Sequence, residues 1–317
     1  MLPDAAHPER GRFVRDQVAA LRLLDGLDVE LHEFPPGARA LVGATLDLRR
    51  RFSARSSIAR RPPPRFDVIH AHFGLTAWPA LAVPARIRAL TVHGSDLRHP
   101  RTRVATAAVL PLIDLIAAVS ASLVAELPGR STQRRAQVLP CGVDVERFRP
   151  QSRASARAEL HLDPERPIVL FPADPARPSK RYDRALSLAR DVGAELRALG
   201  GVEPERVPLW INAANAVLVP SEREGFGLAV LEALACDVPV LATPVGIHAE
   251  ALVGVDGTLC APFDVARWRA VLAPHLHAAD PRVQGRCSAM RFSAHAMAQR
   301  VAAAWQHAVA RSRRPSG

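Results

Sequence analysis

Glu224 and Glu232 are the residues of this chain best placed to do chemistry, and they lie in Ser221-Glu222-Arg223-Glu224-Gly225-Phe226-Gly227-Leu228-Ala229-Val230-Leu231-Glu232-Ala233-Leu234-Ala235-Cys236. Upstream, Ala216-Val217-Leu218-Val219-Pro220 is a short apolar run closed by proline, the pattern of a buried strand. Downstream, Leu228, Leu231, Leu234 and Ala235 recur at helical spacing. The unit is therefore strand, turn, helix. Gly225 and Gly227, on either side of Phe226, let the backbone approach a ligand, and the helix opening at Leu228 leaves its first N–H groups without partners. Those donors and the positive end of the helix dipole suit a diphosphate. Glu224 precedes the helix and Glu232 lies about two turns into it, so the two serve opposite ends of an extended ligand. Carboxylates accept paired hydrogen bonds from vicinal hydroxyls, which suits one to a sugar ring and the other to a ribose.

Lys180 is the only lysine among 42 basic side chains. In a composition that has turned nearly every other lysine into arginine, its retention points to a place where a compact ammonium does what a wide guanidinium cannot. A crowded diphosphate site is such a place.

These residues carry a resemblance. The segment from Ser221, with Asp237-Val238-Pro239-Val240-Leu241-Ala242-Thr243-Pro244-Val245-Gly246 after it, is similar to the donor-site signature of glycosyltransferase family 4, whose members have the GT-B fold. Further pieces follow in the family's order: Val68-Ile69-His70-Ala71-His72-Phe73-Gly74, Thr91-Val92-His93-Gly94-Ser95-Asp96, Val138-Leu139-Pro140-Cys141-Gly142-Val143-Asp144 and Arg147-Phe148. The resemblance implies two Rossmann-like, doubly wound parallel-sheet domains facing a cleft. It implies a retaining, metal-independent transfer of a sugar from a nucleoside diphosphate sugar to an acceptor hydroxyl on a glycan, a lipid-linked glycan or a small molecule. Lys180 and the turn Gly225 to Leu228 would stabilise the leaving diphosphate, Glu224 would hold sugar hydroxyls and Glu232 the ribose. His93 would meet the reacting sugar, and Gly11 would bring backbone against the donor phosphate. The nucleoside diphosphate sugar is a co-substrate, and no bound cofactor is implied.

One position departs from the family's pattern. Relatives often carry an arginine just after the strand that precedes the lysine, and here Asp174 holds that place. Arg177 or Arg181 is the candidate for a second cation on the phosphates. Two alternatives stay open: a sugar-nucleotide epimerase on the same fold, and a catalytically degenerate subunit that binds nucleotide or scaffolds a cell-envelope complex. His70 and His72 alternate on one strand and face one side, yet no third ligand has metal-site spacing, so packing and hydrogen bonding are expected of them. Asp96 either hydrogen-bonds the acceptor or caps its own turn. No G-x-S-x-G elbow and no Walker loop occurs.

Composition sets the frame around these residues. At 317 residues and 48% hydrophobic, the chain can fill two cores. No apolar run is long enough to cross a bilayer and no signal-peptide pattern is present, which predicts a cytoplasmic protein. Cys141, Cys236, Cys260 and Cys287 lie far apart without C-x-x-C spacing and read as buried free thiols. The net charge of +11 comes without aromatic stacking motifs or a DNA-binding signature, which argues against nucleic acid. Seven arginines between Arg49 and Arg65 read as a basic loop, either simply solvated or in peripheral contact with an anionic membrane.

The elements that must position the site alternate along the chain. Residues 1–150 read as an acceptor-side domain, 151–293 as the donor-binding domain, and 294–317 as a final helix with a basic tail, which the resemblance sends back to the first domain. Phe13, Val14, Val18, Leu21 and Leu24 pattern a helix, and Leu27, Val29 and Leu31 alternate as a strand. Strands are predicted at 66–73, 87–92, 114–119, 168–171, 194–199 and 216–219, with another at Val238. Arg147-Phe148-Arg149-Pro150 reads as the start of a polar linker. Relative to the family, Leu2 to Phe13 looks like the loop that follows a first strand, without that strand. This predicts a misplaced start or a truncation, and poor solubility or no activity without the missing strand.

Overall fold

The computed structural model describes residues 11–52 and 66–313. The chain forms two compact units, one running to Cys141 and resuming at Met297, the other spanning Gly142–Ala296.

The first unit holds a parallel sheet in the order β1 (Phe66–His72), β2 (Ala85–Val92), β3 (Leu115–Ala118) and β4 (Gln137–Val138). β3 is buried throughout and β2 in its last four residues, as expected where helices cover both faces of a parallel sheet. β1 is different: its residues are mostly half-buried, and it pairs with β2 alone among the described residues. Helix Ala38–Phe52 anchors it, with Leu48 and Phe52 packed on Val83, Phe66 and Ile69. Helix Arg12–Leu21 buries Gln17, Val18, Ala20 and Leu21. Trp305, on the last helix Ala294–Ser312, belongs to this unit.

The second unit is a parallel sheet in the order β6 (Glu195–Ala198), β5 (Ile168–Phe171), β7 (Ala216–Val219), β8 (Val240–Ala242) and β9 (Leu259–Cys260). β5, β7 and β8 are buried along their whole length. Val169, Phe171, Leu218 and Leu241 pack with Leu188 of helix Tyr182–Asp191 and with Trp268 and Leu272 of helix Val265–His277. Helix Leu228–Ala235 is also sunk in apolar surroundings, with Val230, Leu231, Ala233, Leu234 and Ala235 buried.

Several expectations are corrected. Leu27, Val29 and Leu31 form no strand; residues 27–35 run as irregular chain, and Asp28 to Phe34 line a cavity of about 250 Å³ together with the outer side of β1. Alternation alone does not make a strand, because the backbone groups need a ladder partner, and none stands beside this segment among the described residues. Arg49, Arg50 and Arg51 occupy the last turn of helix Ala38–Phe52 rather than a loop, and the arginines from Arg55 to Arg65 lie outside the described residues. Phe148 is buried, so the expected polar linker is packed at that point. The four cysteines are free; Cys236 is buried, but Cys287 is exposed. The expectation of a missing first strand falls on residues 1–10, outside the described ones.

Candidate active site

In the second unit, β7 delivers the chain to Ser221, and the turn that follows is folded by its own side chains. Ser221 Oγ donates to Glu224 Oε1 at 2.8 Å, and Thr243 Oγ1 donates to the Ser221 carbonyl at 2.5 Å. Gly227 closes the turn with φ 101°, a left-handed conformation that favours glycine, and caps helix Leu228–Ala235, to which no side chain supplies a cap. A Cβ on Gly227 would also run into the imidazole of His248. Gly225 has no such backbone constraint, which narrows the expectation that both glycines serve alike. Gly246 crosses under the turn, where a Cβ would overlap the Phe226 carbonyl.

From the neighbouring strand β5, the loop 172–181 brings Lys180 into the same place. Its Nζ donates to both oxygens of Glu224 at 2.6 Å, with the two side chains 14% and 9% exposed. Burial pushes the Glu224 carboxyl up, but the Lys180 ammonium and the Ser221 hydroxyl outweigh it and hold the group below the usual carboxylate range. Two of the three ammonium donors are thereby engaged, leaving one for a further acceptor. Glu232 is half-buried about one turn, rather than two, into the helix that begins at Leu228.

Asp174 donates nothing to this site. Its Oδ1 accepts from the Ala176 backbone N–H at 2.8 Å, so the carboxylate shapes the loop that carries Lys180. Arg177 is exposed at the entry to the short turn Pro178–Lys180. Arg181 pairs with Asp183 at 2.6 Å and with Glu222 at 2.5 Å, which ties its guanidinium to the loop instead of leaving it as a second cation.

His248 was not singled out by its sequence context. It is fully buried, its Nδ1–H donates to the Thr243 carbonyl at 2.8 Å, and its Nε2 is buried without a hydrogen-bond partner against Gly227. Burial lowers its pKa in spite of Glu224 nearby, so the ring is neutral at neutral pH. Only contact across the fold could reveal this residue, since it lies far from Glu224 in sequence.

In the first unit, His93 follows the end of β2. Asp96 builds its turn: the buried carboxylate accepts from the backbone N–H groups of His93 (3.1 Å), Gly94 (2.8 Å) and Gly74 (3.4 Å), which settles Asp96 as the turn's cap. The His93 ring packs against Phe13 and Phe73, each 4.7 Å away by ring centre, and its Nε2 is 3.0 Å from His72 Nδ1. His70 and His72 do face one side, stacked at 4.7 Å. Burial, then the neighbouring imidazoles, hold His70 and His93 well below the usual histidine value, and burial holds His72 at about 4. Gly11, φ 74°, caps helix Arg12–Leu21 and lines the cavity beside β1. Among the described residues no group of three His, Cys, Asp or Glu side chains is placed to hold a metal ion.

Residues 165–283 match the model of glycosyl transferases group 1, and residues 7–147 match that of Glycosyltransferase Family 4. A D-inositol 3-phosphate glycosyltransferase of Actinosynnema mirum is 31% identical over 285 residues, covering 70% of this chain and 68% of that protein. The chain belongs to glycosyltransferase family 4. Another relative of the family, the D-inositol 3-phosphate glycosyltransferase of Frankia alni, is 30% identical over 66% of this chain and 65% of its own length. The chain thus spans about two thirds of the length of these curated relatives. Among solved structures, Anabaena HepE in complex with UDP and glucose superposes with a TM-score of 0.69 at 17% identity, covering 96% of this chain and 98% of that one. Sucrose-phosphate synthase from Thermosynechococcus elongatus gives 0.67 at 21%, covering 95% and 93%. The fold is GT-B, as the family resemblance implied.

Proposed function

We propose that this family 4 protein is a retaining glycosyltransferase that moves a sugar from a nucleoside diphosphate sugar to an acceptor hydroxyl. The observation that carries the reading is the Lys180–Glu224 pair set beside the side-chain-free N-terminus of helix Leu228–Ala235. The third Lys180 donor and the helix N–H groups after Gly227 supply positive potential where the leaving diphosphate gathers charge, so no metal ion is required for that task. Glu224, kept ionised, holds sugar hydroxyls; Glu232 holds the ribose; His93 donates to the transferred sugar. Retention follows from a front-face course in which the departing phosphate oxygen takes the acceptor's proton. Gly11 and the exposed Arg177 complete the proposed donor contacts.

The acceptor is a glycan, a lipid-linked glycan or a small molecule, in polysaccharide or cell-envelope synthesis on the cytoplasmic side. Inositol phosphate is the first acceptor to try, given the names of the relatives. Contact with an anionic membrane is supported by exposed Val42 and Leu46 on the helix that carries Arg39, Arg49 and Arg50, and no described helix is long and apolar enough to span one.

The test is thermal shift with a panel of nucleoside diphosphate sugars, UDP-glucose first, followed by transfer assays with the donor that stabilises the protein. A donor at a hundred times its Kd adds about 2.7 kcal/mol to stability. Lys180→Ala and Glu224→Ala are each expected to lower kcat/KM by about 10²–10³. Transfer that survives both substitutions within a few-fold overturns the assignment.

A further inference from the structure

His70 and His72 lie two positions apart on one strand, with stacked rings, yet their hydrogen bonds demand opposite tautomers. Trp305 Nε1–H, a donor only, points at His70 Nδ1 at 3.0 Å, so His70 carries its proton on Nε2 and gives it to Thr91 Oγ1 at 2.8 Å. At His72 the donor comes from the other side. The buried Gln17 directs its amide nitrogen at His72 Nε2, 3.3 Å away, which leaves the His72 proton on Nδ1. That atom lies 3.0 Å from His93 Nε2. A neutral imidazole whose Nε2 accepts a hydrogen bond must carry its proton on Nδ1.

We infer that Gln17 and His72 are positioning residues, a directional relay that fixes His93 as the Nδ1–H tautomer and so makes its free ring nitrogen a hydrogen-bond donor. The part this donor plays in transfer rests on the assignment of His93 to the transferred sugar. Among the described residues none partners His93 Nδ1, while Phe13 and Phe73 hold the ring plane in place. Burial keeps all three imidazoles neutral, and neutrality is what gives the relay a direction, since a doubly protonated ring would donate from both ends. A donor aimed at the glycosidic oxygen between the transferred sugar and the leaving diphosphate, which gains negative charge as that bond breaks, acts on the chemical step more than on ground-state binding. Inverting the relay turns the same nitrogen into an acceptor.

Gln17→Glu performs that inversion, because a carboxylate can only accept; His72 must then donate from Nε2 and accept at Nδ1, and His93 must donate from Nε2. Gln17→Leu leaves the direction unset, and His72→Gln breaks the relay from its other end. The tautomers are read by long-range proton–nitrogen correlation on the uniformly labelled full chain, with His93→Gln assigning the His93 signals and thermal melts confirming that each variant is folded. The expected result is His93 protonated at Nδ1 in the unaltered protein and at Nε2 in Gln17→Glu. With it, kcat falls about tenfold and the donor KM stays within twofold, the effect of losing one hydrogen bond made in the transition state. A His93 tautomer that does not change in Gln17→Glu overturns the relay. A tautomer that inverts while kcat holds overturns its role in transfer. An unaltered protein that neither binds nor uses any donor defeats the proposed function instead, and the nitrogen signals still report whether the relay exists.

Discussion

Removing Lys180 should destabilise the second unit through the charge it leaves behind. In Lys180→Met the Glu224 carboxylate, 9% exposed, loses the ammonium that meets both of its oxygens and keeps the Ser221 hydroxyl. Breaking one side of a buried ion pair costs about 3–5 kcal/mol, and because Lys180 is itself 14% exposed the lower end applies, about 3 kcal/mol at neutral pH. The sign with pH is fixed by the direction of the shift. In the unaltered protein Glu224 sits below the usual carboxylate range, so the pair contributes fully above the unfolded pKa and its contribution is lost as pH falls through the folded one. In the variant, burial, the largest influence on this carboxyl, is no longer offset by the ammonium and raises the folded pKa above the unfolded value, so acid favours the variant's folded state. The gap between the two proteins should therefore shrink as pH falls from 7.5 to 5, by up to ~1.4 kcal/mol for each unit of pKa shift. Adding Glu224→Gln removes the stranded charge and should return about 2 kcal/mol, the difference between an uncompensated charge and a neutral amide. Hydrogen exchange read on peptides from the second unit, with urea titrations at both pH values, separates this effect from unfolding of the first unit. A single variant that loses under about 1 kcal/mol, a double variant no better than the single, or a gap that widens in acid would refute the reasoning.

Three further outcomes follow from the same geometry. Gly227→Ala must strain a φ of 101° and displace the His248 ring, so a loss of about 2 kcal/mol or more and the disappearance of donor-induced thermal stabilisation are expected in melting curves. Because burial depresses the pKa of His72 to about 4, the unfolded chain takes up its proton first; stability present above pH 6.5 should decline toward pH 4 by roughly 1.4 kcal/mol per unit from this residue alone, measured by denaturant titration. Trp305→Phe keeps the ring but removes the donor to His70 Nδ1, and should cost about 1–2 kcal/mol by the same measurement, with the His70 signals shifting tautomer population.

Local pattern carried the second unit well because its strands are buried on both faces and therefore read as unbroken apolar runs, as in Ile168 to Phe171 and Ala216 to Val219. Helix Leu228–Ala235 was legible from the helical spacing of Leu228, Leu231, Leu234 and Ala235. The strand expected at Leu27 to Leu31 failed because its alternation is a property of the segment, whereas a ladder is a property of two segments. Strand β9 was too short to register as a pattern.

What the residues alone determined were the chemical types and their order: a lone lysine, a carboxylate before a glycine turn, another within the following helix, and a histidine at a strand end. The tertiary structure decided how they are used. It joined Lys180 to Glu224 across 44 positions of chain, committed Asp174 and Arg181 to loop structure, placed His248 under Gly227, and turned Gln17, His72 and Trp305 into the groups that orient imidazole protons. Such pairings depend on distances of about 3 Å between side chains from separate strands and helices, and no local spacing encodes a contact of that kind.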